Sequence, residues 1–293
     1  MIARARVIDL IDYSGDIALQ RGRLVVAGED VPLADVSCIL TGARTRWSGG
    51  LISFAAKYGV PVIACDWRGV PIACLTPWSE NSRVGARHRA QAALSLPRKK
   101  NAWMRLVRAK IIGQAANLSH APTSRSKLIE LARDVRSGDL ENREARAART
   151  YWSHLFPHEE FARDRNGSGR NALLNYGYTI LRGRVVRGIV VAGLSPTLGV
   201  WHRHRGNTFA LADDLIEPFR PAIDHAVMGL PPDADITASE VKRVLVKALS
   251  QPMGRAGASV STSINELAHQ LALYVEGETA RLNVPVWDVA AGG

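Results

Sequence analysis

The chain has 293 residues, long enough for two domains of ordinary size and a sizeable core. Apolar residues make up 46%, which excludes a disordered polymer. No uninterrupted apolar run is long enough to span a bilayer, and the N-terminus lacks the apolar segment and cleavage site of a signal peptide, so a cytoplasmic protein with no membrane partner is expected.

Charge is the most informative bulk property. Formal net charge is +11, and it is unevenly placed. Between Asn81 and Ile129 there is no Asp or Glu, while Arg83, Arg87, Arg89, Arg98, Lys99, Lys100, Arg105, Arg108, Lys110, Arg125 and Lys127 supply eleven positive charges, equal to the whole excess. A positive surface is what a polyphosphate partner requires. A solvated basic surface and a face for anionic lipid are the plain alternatives. With Trp103 inside the segment and no strongly amphipathic membrane helix, nucleic acid is preferred.

In chain order, the first eighty or so residues read as β-rich. Strands are predicted at Arg6 to Leu10, Arg23 to Ala27, Val36 to Leu40, Val60 to Cys65 and Val70 to Leu75, the last two joined by a tight hairpin end at Asp66, Trp67, Arg68 and Gly69. Gly50 to Tyr58 has helical spacing and stops at Gly59. The three cysteines, Cys38, Cys65 and Cys74, lie in apolar strand-like surroundings without C-x-x-C spacing, and are read as buried inert thiols rather than a zinc or redox site.

After Pro77 the β-branched runs give way to Ala, Leu, Arg and Lys at helical spacing, with a linker expected from Pro77 to Ser82. Helices are predicted at Arg83 to Leu94, Lys100 to Leu118, Ser126 to Val135, Glu141 to Leu155, Leu173 to Val191, Leu211 to Met228, Ser239 to Ser250 and Ile264 to Leu282. Capping boxes are expected for the last two, at Thr237 with Glu240 and at Ser263 with Glu266. The expected fold class is α+β, with a small N-terminal β-sheet domain over residues 1–81 and a larger all-α C-terminal domain over residues 82–293.

Two constellations bear chemistry. Glu144 lies at the start of a predicted helix with Ala148, Tyr151 and Leu155 at i+4, i+7 and i+11, which sets its carboxylate on the apolar stripe. A charge there is costly unless it is paired or bound to a metal. The plain alternative is an ordinary Glu favoured by the helix dipole. Further on, Asp214 and Glu217 stand three apart, so that on one helix their like charges meet on a single face. A divalent cation relieves that repulsion, and His202 in the preceding loop adds an imidazole, a mixed set suited to magnesium or manganese. The alternative is a solvated acidic helix end beside a basic loop. Arg203 and Arg205 add donors for phosphate oxygens. Tyr176 reads either as a core aromatic or as a hydroxyl near the chemistry.

These residues fall into blocks that resemble a known family. Asn142-x-Glu144-Ala-x-Ala-Ala-x-x-Tyr151-Trp152, Asn175-Tyr176-Gly177-Tyr178, His202, and Asp214-Leu-Ile-Glu217-Pro-Phe-Arg-Pro221 are similar to the blocks of the CRISPR-associated integrase-endonuclease, the first-numbered Cas protein of spacer acquisition, in its short type II form. Ser82 to Gln91 also resembles that subfamily at the domain junction. The resemblance implies a metal site of Glu144, His202 and Glu217, with Asp214 as a further ligand or close neighbour, holding Mg2+ or Mn2+. The basic segment and the basic loop give Arg83, Arg87, Lys99, Lys100, Arg203 and Arg205 as the expected DNA-binding residues, with Tyr176 as a possible auxiliary. The resemblance further implies a homodimer whose N-terminal domain serves dimerisation and docking, joined to the small second-numbered Cas protein. The implied reaction is attack of the 3′-hydroxyl ends of a prespacer duplex on repeat phosphodiesters of the CRISPR array. Members often carry a second His where this chain has Trp201, which leaves His202 as the ligand and His204 as its competitor. A stand-alone nuclease acting on branched DNA in repair, and a non-enzymatic DNA-binding protein, are the rival readings.

Overall fold

Short Val- and Ile-rich runs build the N-terminal region of the computed structural model, which describes residues 6–26, 28–32, 36–66, 71–75, 81–139, 141–157, 159–254 and 257–289. One sheet has the order β1 (Arg6–Leu10), β5 (Val36–Thr41), β7 (Val62–Cys65) and β8 (Pro71–Leu75), the first three parallel and the last antiparallel. The second runs β4 (Glu29–Pro32), β3 (Arg23–Val26), β2 (Gly15–Gln20) and β6 (Thr45–Trp47). Helix α1 (Gly49–Lys57) packs beside them, capped by Ser48 accepting from the Leu51 amide and followed by Gly59 at φ 59°.

The central strands β5 and β7 of the first sheet are largely buried on both faces, which explains their strongly apolar character. Ile39 and Val62 enter a core shared with the second sheet and α1, whereas Leu40, Ile63 and Cys38 enter the core of the helical region. Strands β2, β4 and β6 were not predicted, because each is short and largely polar or exposed. Trp67, Arg68 and Gly69 of the predicted hairpin end and most of the predicted linker lie outside the described residues.

The C-terminal region is helical: α2 (Val84–Ala92), α3 (Leu96–Asn117), α4 (Pro122–Asp134), α5 (Arg143–Leu155), α6 (Arg170–Val191), α7 (Ala210–Leu215), α8 (Arg220–Met228), α9 (Ser239–Lys247) and α10 (Val260–Glu276). The expected α+β class holds. Helix α6 runs through the middle and reaches its neighbours at glycines. A Cβ on Gly183 would stand 2.5 Å from Ile63 Cδ1 of the sheet, and one on Gly177 would stand 2.4 Å from Ile223 Cγ2 of α8.

Three expectations are corrected. The single helix predicted from Leu211 to Met228 is broken into α7, a 3-10 turn (Glu217–Phe219) and α8. Pro218 and Pro221 lack the amide that would continue the α-helical ladder. Neither capping box forms. Thr237 bonds Asp235 while Ala238 precedes α9, and α10 is capped one turn earlier than expected, by Ser259 accepting from the Thr262 amide. Helix α10 ends at Glu276 rather than Leu282, because Gly277 takes the left-handed conformation at φ 88°.

Candidate active site

Three separate elements deliver charged side chains to one place. Lys110 reaches in from α3, Glu144 from the first turn of α5, and Glu217 from the 3-10 turn before α8. Lys110 Nζ lies 2.6 Å from Glu144 Oε1 and 2.6 Å from Glu217 Oε2. Arg220 donates to the other Glu217 oxygen at 2.8 Å. The Glu217 side chain is 6% exposed, Lys110 12% and Glu144 27%, so the cluster opens to solvent on the Glu144 side. The Lys110 contact to Glu217 is close enough for an ion pair but is not aligned as a hydrogen bond, which leaves Glu217 Oε2 without a hydrogen-bond partner.

Electrostatics follows from burial and these neighbours. Burial works against the Lys110 ammonium, yet Glu217 and Glu144 outweigh it and hold the lysine above its ordinary pKa. Burial likewise pushes Glu217 up, but Arg220 and Lys110 outweigh it and keep this carboxyl below its usual range.

Glu144 is presented by a cap that sequence reasoning missed. Asn142 enters α5 with φ 53°, and the Asp139 carboxylate accepts from the amides of Arg143 and Glu144, both at 2.9 Å. Those are orphan donors of the first turn. Along the helix the buried stripe is Ala147, Tyr151 and Leu155, and Glu144 sits at its edge.

His202 is held by Asp214. Its Nδ1 is 2.7 Å from Asp214 Oδ1, and the same carboxylate accepts from the amides of Val200 at 2.6 Å, Trp201 at 3.0 Å and His202 at 3.1 Å. Gly199 lets the loop close this tightly, since a Cβ there would meet Asp214 Oδ2 at 2.9 Å. With Asp214 ionised, Nδ1 is the donor and Nε2 is left for a ligand. The hydrogen bond to Asp214 raises the imidazole pKa against the opposing effect of burial, and Asp213 and Glu217 act in the same direction as Asp214. Buried Trp103 supports the loop, stacked on Trp201 at 5.4 Å and 3°, and meeting the His202 ring edge-on at 5.7 Å. His204 is exposed and its Nδ1 accepts from the Gly206 amide at 3.3 Å.

The expectation that Asp214 and Glu217 share one face of one helix is corrected. The helix breaks between them, and each carboxylate faces different partners. Asp214 is fully buried with four donors on its oxygens. Among the described residues, no three His, Cys, Asp or Glu side chains stand together as a ready metal cage. The two glutamates are instead closed on a cation of the protein itself.

Beneath the cluster lies a second buried carboxylate. Asp224 accepts from the Tyr151 hydroxyl at 2.9 Å and from the Tyr178 hydroxyl, and Asn117 donates to Tyr151 at 2.9 Å. Burial pushes Asp224 up to about 6, against those hydroxyls. Arg220 lies over the Tyr178 ring at 4.5 Å, linking this network to Glu217.

The remaining expectations fare unevenly. Tyr176 donates to Asp9 of β1 at 2.7 Å, where Lys242 of α9 also binds, so its hydroxyl ties the sheet to the helices. Arg87 is 7% exposed and bonds Glu276 and the Ala192 carbonyl, which corrects its reading as a DNA contact. Arg83 also bonds Glu276, from an exposed position. Arg98 donates to the Tyr274 and Thr279 carbonyls, and Arg108 to that of Val135. Much of the basic segment is thus structural. Arg203 and Arg205 are exposed beside His202, and Lys99 and Lys100 are half-buried in the first turn of α3. The three cysteines are free, Cys38 and Cys65 buried and Cys74 half-buried, and burial raises the pKa of each well above that of an ordinary thiol. No helix among the described residues is long and apolar enough to cross a membrane.

Residues 10–256 match the model of the family described as CRISPR associated protein Cas1. The CRISPR-associated endonuclease Cas1 of Neisseria meningitidis is 38% identical over 250 residues, covering 82% of this chain and 82% of the relative. One from Pyrobaculum aerophilum is 30% identical over 266 residues, covering 80% and 87%. Among solved structures, a casposase bound to integration product superposes with a TM-score of 0.77 at 21% identity, covering 94% of this chain and 92% of that one. A Cas1 protein from Thermotoga maritima gives 0.77 at 18% identity, covering 95% and 99%. These structural likenesses establish the fold, and the sequence matches establish the family. The chain belongs to the CRISPR-associated Cas1 family of endonucleases.

Proposed function

We propose that this chain is a DNA endonuclease and integrase that inserts short duplexes into a CRISPR array, by attack of their 3′-hydroxyl ends on repeat phosphodiesters, using a divalent ion held by Glu144, Glu217 and His202. The observation that carries this reading is the convergence of Glu144 and Glu217, from distant parts of the chain, on one cationic nitrogen, with Glu217 also acting electrostatically on a histidine oriented through Nδ1. Carboxylate and imidazole donors suit Mg2+ or Mn2+. Lys110 stands in for such a cation: its ammonium lies 2.6 Å from Glu217 Oε2, an oxygen that accepts no hydrogen bond.

When bound, the ion supplies Lewis-acid activation of the attacking hydroxyl and offsets charge on phosphorus. Asp214 keeps the imidazole in the tautomer and direction that leave Nε2 free, and so acts as a positioning residue rather than a ligand. Arg220 holds Glu217 from behind. Arg203 and Arg205 offer phosphate donors next to the site, and Lys99 and Lys100 extend that surface, fixing a duplex without reading its sequence.

Partners are part of the same proposal. The fold neighbours include a Cas6-RT-Cas1–Cas2 complex, with a TM-score of 0.75 at 18% identity, covering 96% of this chain and 36% of that one. A homodimer joined to a small Cas2-type protein, acting in the cytoplasm on prespacer and repeat DNA, is the assembly we infer. We also propose the division into residues 1–81 and 82–293, supported by the change from strands to helices after β8.

The test is transfer of a labelled duplex into a supercoiled plasmid carrying a CRISPR repeat, with Mg2+ or Mn2+ and with or without the small partner. Joined product is expected. Cleavage of branched DNA without joining would favour repair, and tight DNA binding with neither activity would favour a non-enzymatic role.

A further inference from the structure

Lys110 is an anomaly for a mid-helix lysine. It shares a face of α3 with buried Trp103, Leu106, Val107 and Gln114, and its side chain is 12% exposed. A buried ammonium is costly unless it is paired, and this one is paired twice, with both carboxylates at 2.6 Å. Arg220 occupies the other oxygen of Glu217, so among the described residues Lys110 alone bridges the two acids.

We propose that Lys110 is a resident counter-ion, which holds Glu144 and Glu217 together in the metal-free protein and must withdraw before a divalent ion can bind between them. The inference rests on the reading of these glutamates as metal ligands. Two acids drawn to one point need a cation, and the chain carries its own. A lysine suits an exchangeable role because its charge is a point on a flexible stem, whereas an arginine fork would be fixed to its acceptors. The consequence is competition: metal is admitted only against the ammonium, and the carboxylates do not fly apart when it is absent.

The test uses the full chain and reads metal binding rather than activity. Mn2+ binding by calorimetry, and thermal unfolding with and without Mn2+, are compared for wild type, Lys110→Met, Lys110→Gln and Glu217→Gln. Both Lys110 variants are expected to melt lower without metal, to bind Mn2+ on the order of tenfold more tightly than wild type, and to gain more in Tm when it is added. A variant that folds only with Mn2+ present meets the expectation in its extreme form. Equal or weaker Mn2+ binding in the folded Lys110 variants overturns the inference while leaving the metal site standing, as does failure of both variants to fold even with Mn2+. Mn2+ binding that is absent from wild type and from the Lys110 variants, or indifferent to Glu217→Gln, removes the metal-site reading itself, and this inference with it.

Discussion

Asp214 contacts His202 twice, accepting its backbone amide at 3.1 Å and meeting its ring Nδ1 at 2.7 Å with the same oxygen. Backbone and imidazole are therefore positioned together, and the direction of Nε2 is set by a fully buried group. Asp214→Asn should keep the fold but weaken this hold, lowering strand transfer by about 10- to 100-fold. Its DNA affinity should stay near that of wild type. Full transfer activity in the purified variant would show that His202 needs no orienter.

Glu144→Ala and His202→Ala each remove a group assigned to the ion. Both should abolish strand transfer while leaving duplex binding largely intact, as judged by gel shift beside the transfer assay. Substantial product from either variant would contradict the assignment, and retained activity in His202→Ala would shift attention to exposed His204.

Basic residues should separate into two classes. Wild-type affinity for DNA should fall steeply with salt. Replacing Arg203 and Arg205 together with Ala should flatten the slope of log K against log salt by about one for each phosphate no longer neutralised. Arg87→Met should leave that slope unchanged but lower Tm by several degrees, since it strips a buried cation from Glu276 and the Ala192 carbonyl. The opposite pattern would mean that the segment's charge is used differently from its hydrogen bonds.

Asp224 makes stability depend on pH in an unusual direction for an acid. Its folded pKa is about 6, above the ordinary aspartate value of 3.8, so between those values the folded state keeps a proton that the unfolded chain has released. The group's contribution is therefore greatest below pH 4, declines as pH rises, and is flat above 6. Against Asp224→Asn, wild type should lose up to roughly 3 kcal/mol of relative stability from pH 4 to 7, measured by urea unfolding. A difference that stays constant or grows with pH would refute this.

Tyr176→Phe separates a structural hydroxyl from a chemical one. Because the hydroxyl binds Asp9, the variant should transfer strands at close to the wild-type rate and lose about 1 kcal/mol of stability. A loss of ten-fold or more in rate with unchanged stability would return Tyr176 to the chemistry.

Much of the architecture was legible because it rests on local periodicity. The unbroken apolar runs of β5 and β7 and the long helices α3 and α6 stood out, whereas β2, β4 and β6 carry too little apolar pattern to be seen. Helix boundaries went wrong where one residue overrode the pattern, as Pro218 did within Leu211 to Met228 and Gly277 did after Glu276. Glu144, His202 and Glu217 are proposed as ligands on the strength of their motif blocks. Lys110 and Asp224 were overlooked, although the signal that exposed Glu144 was present for both: a charge set among apolar residues of a helix face.

Taken alone, the order of residues determined the β-then-α class, the excess of positive charge and which side chains to propose as ligands, because periods, counts and motifs are properties of the chain itself. Only the tertiary structure decided where those charges end. It turned Asp214 inward to clamp a loop, paired Arg87 with Glu276, tied Tyr176 to Asp9, and drew Glu144 and Glu217 onto Lys110. The reason is physical: the energy of a buried charge depends on which partner lies within a few ångströms, and that distance is unrelated to separation along the chain.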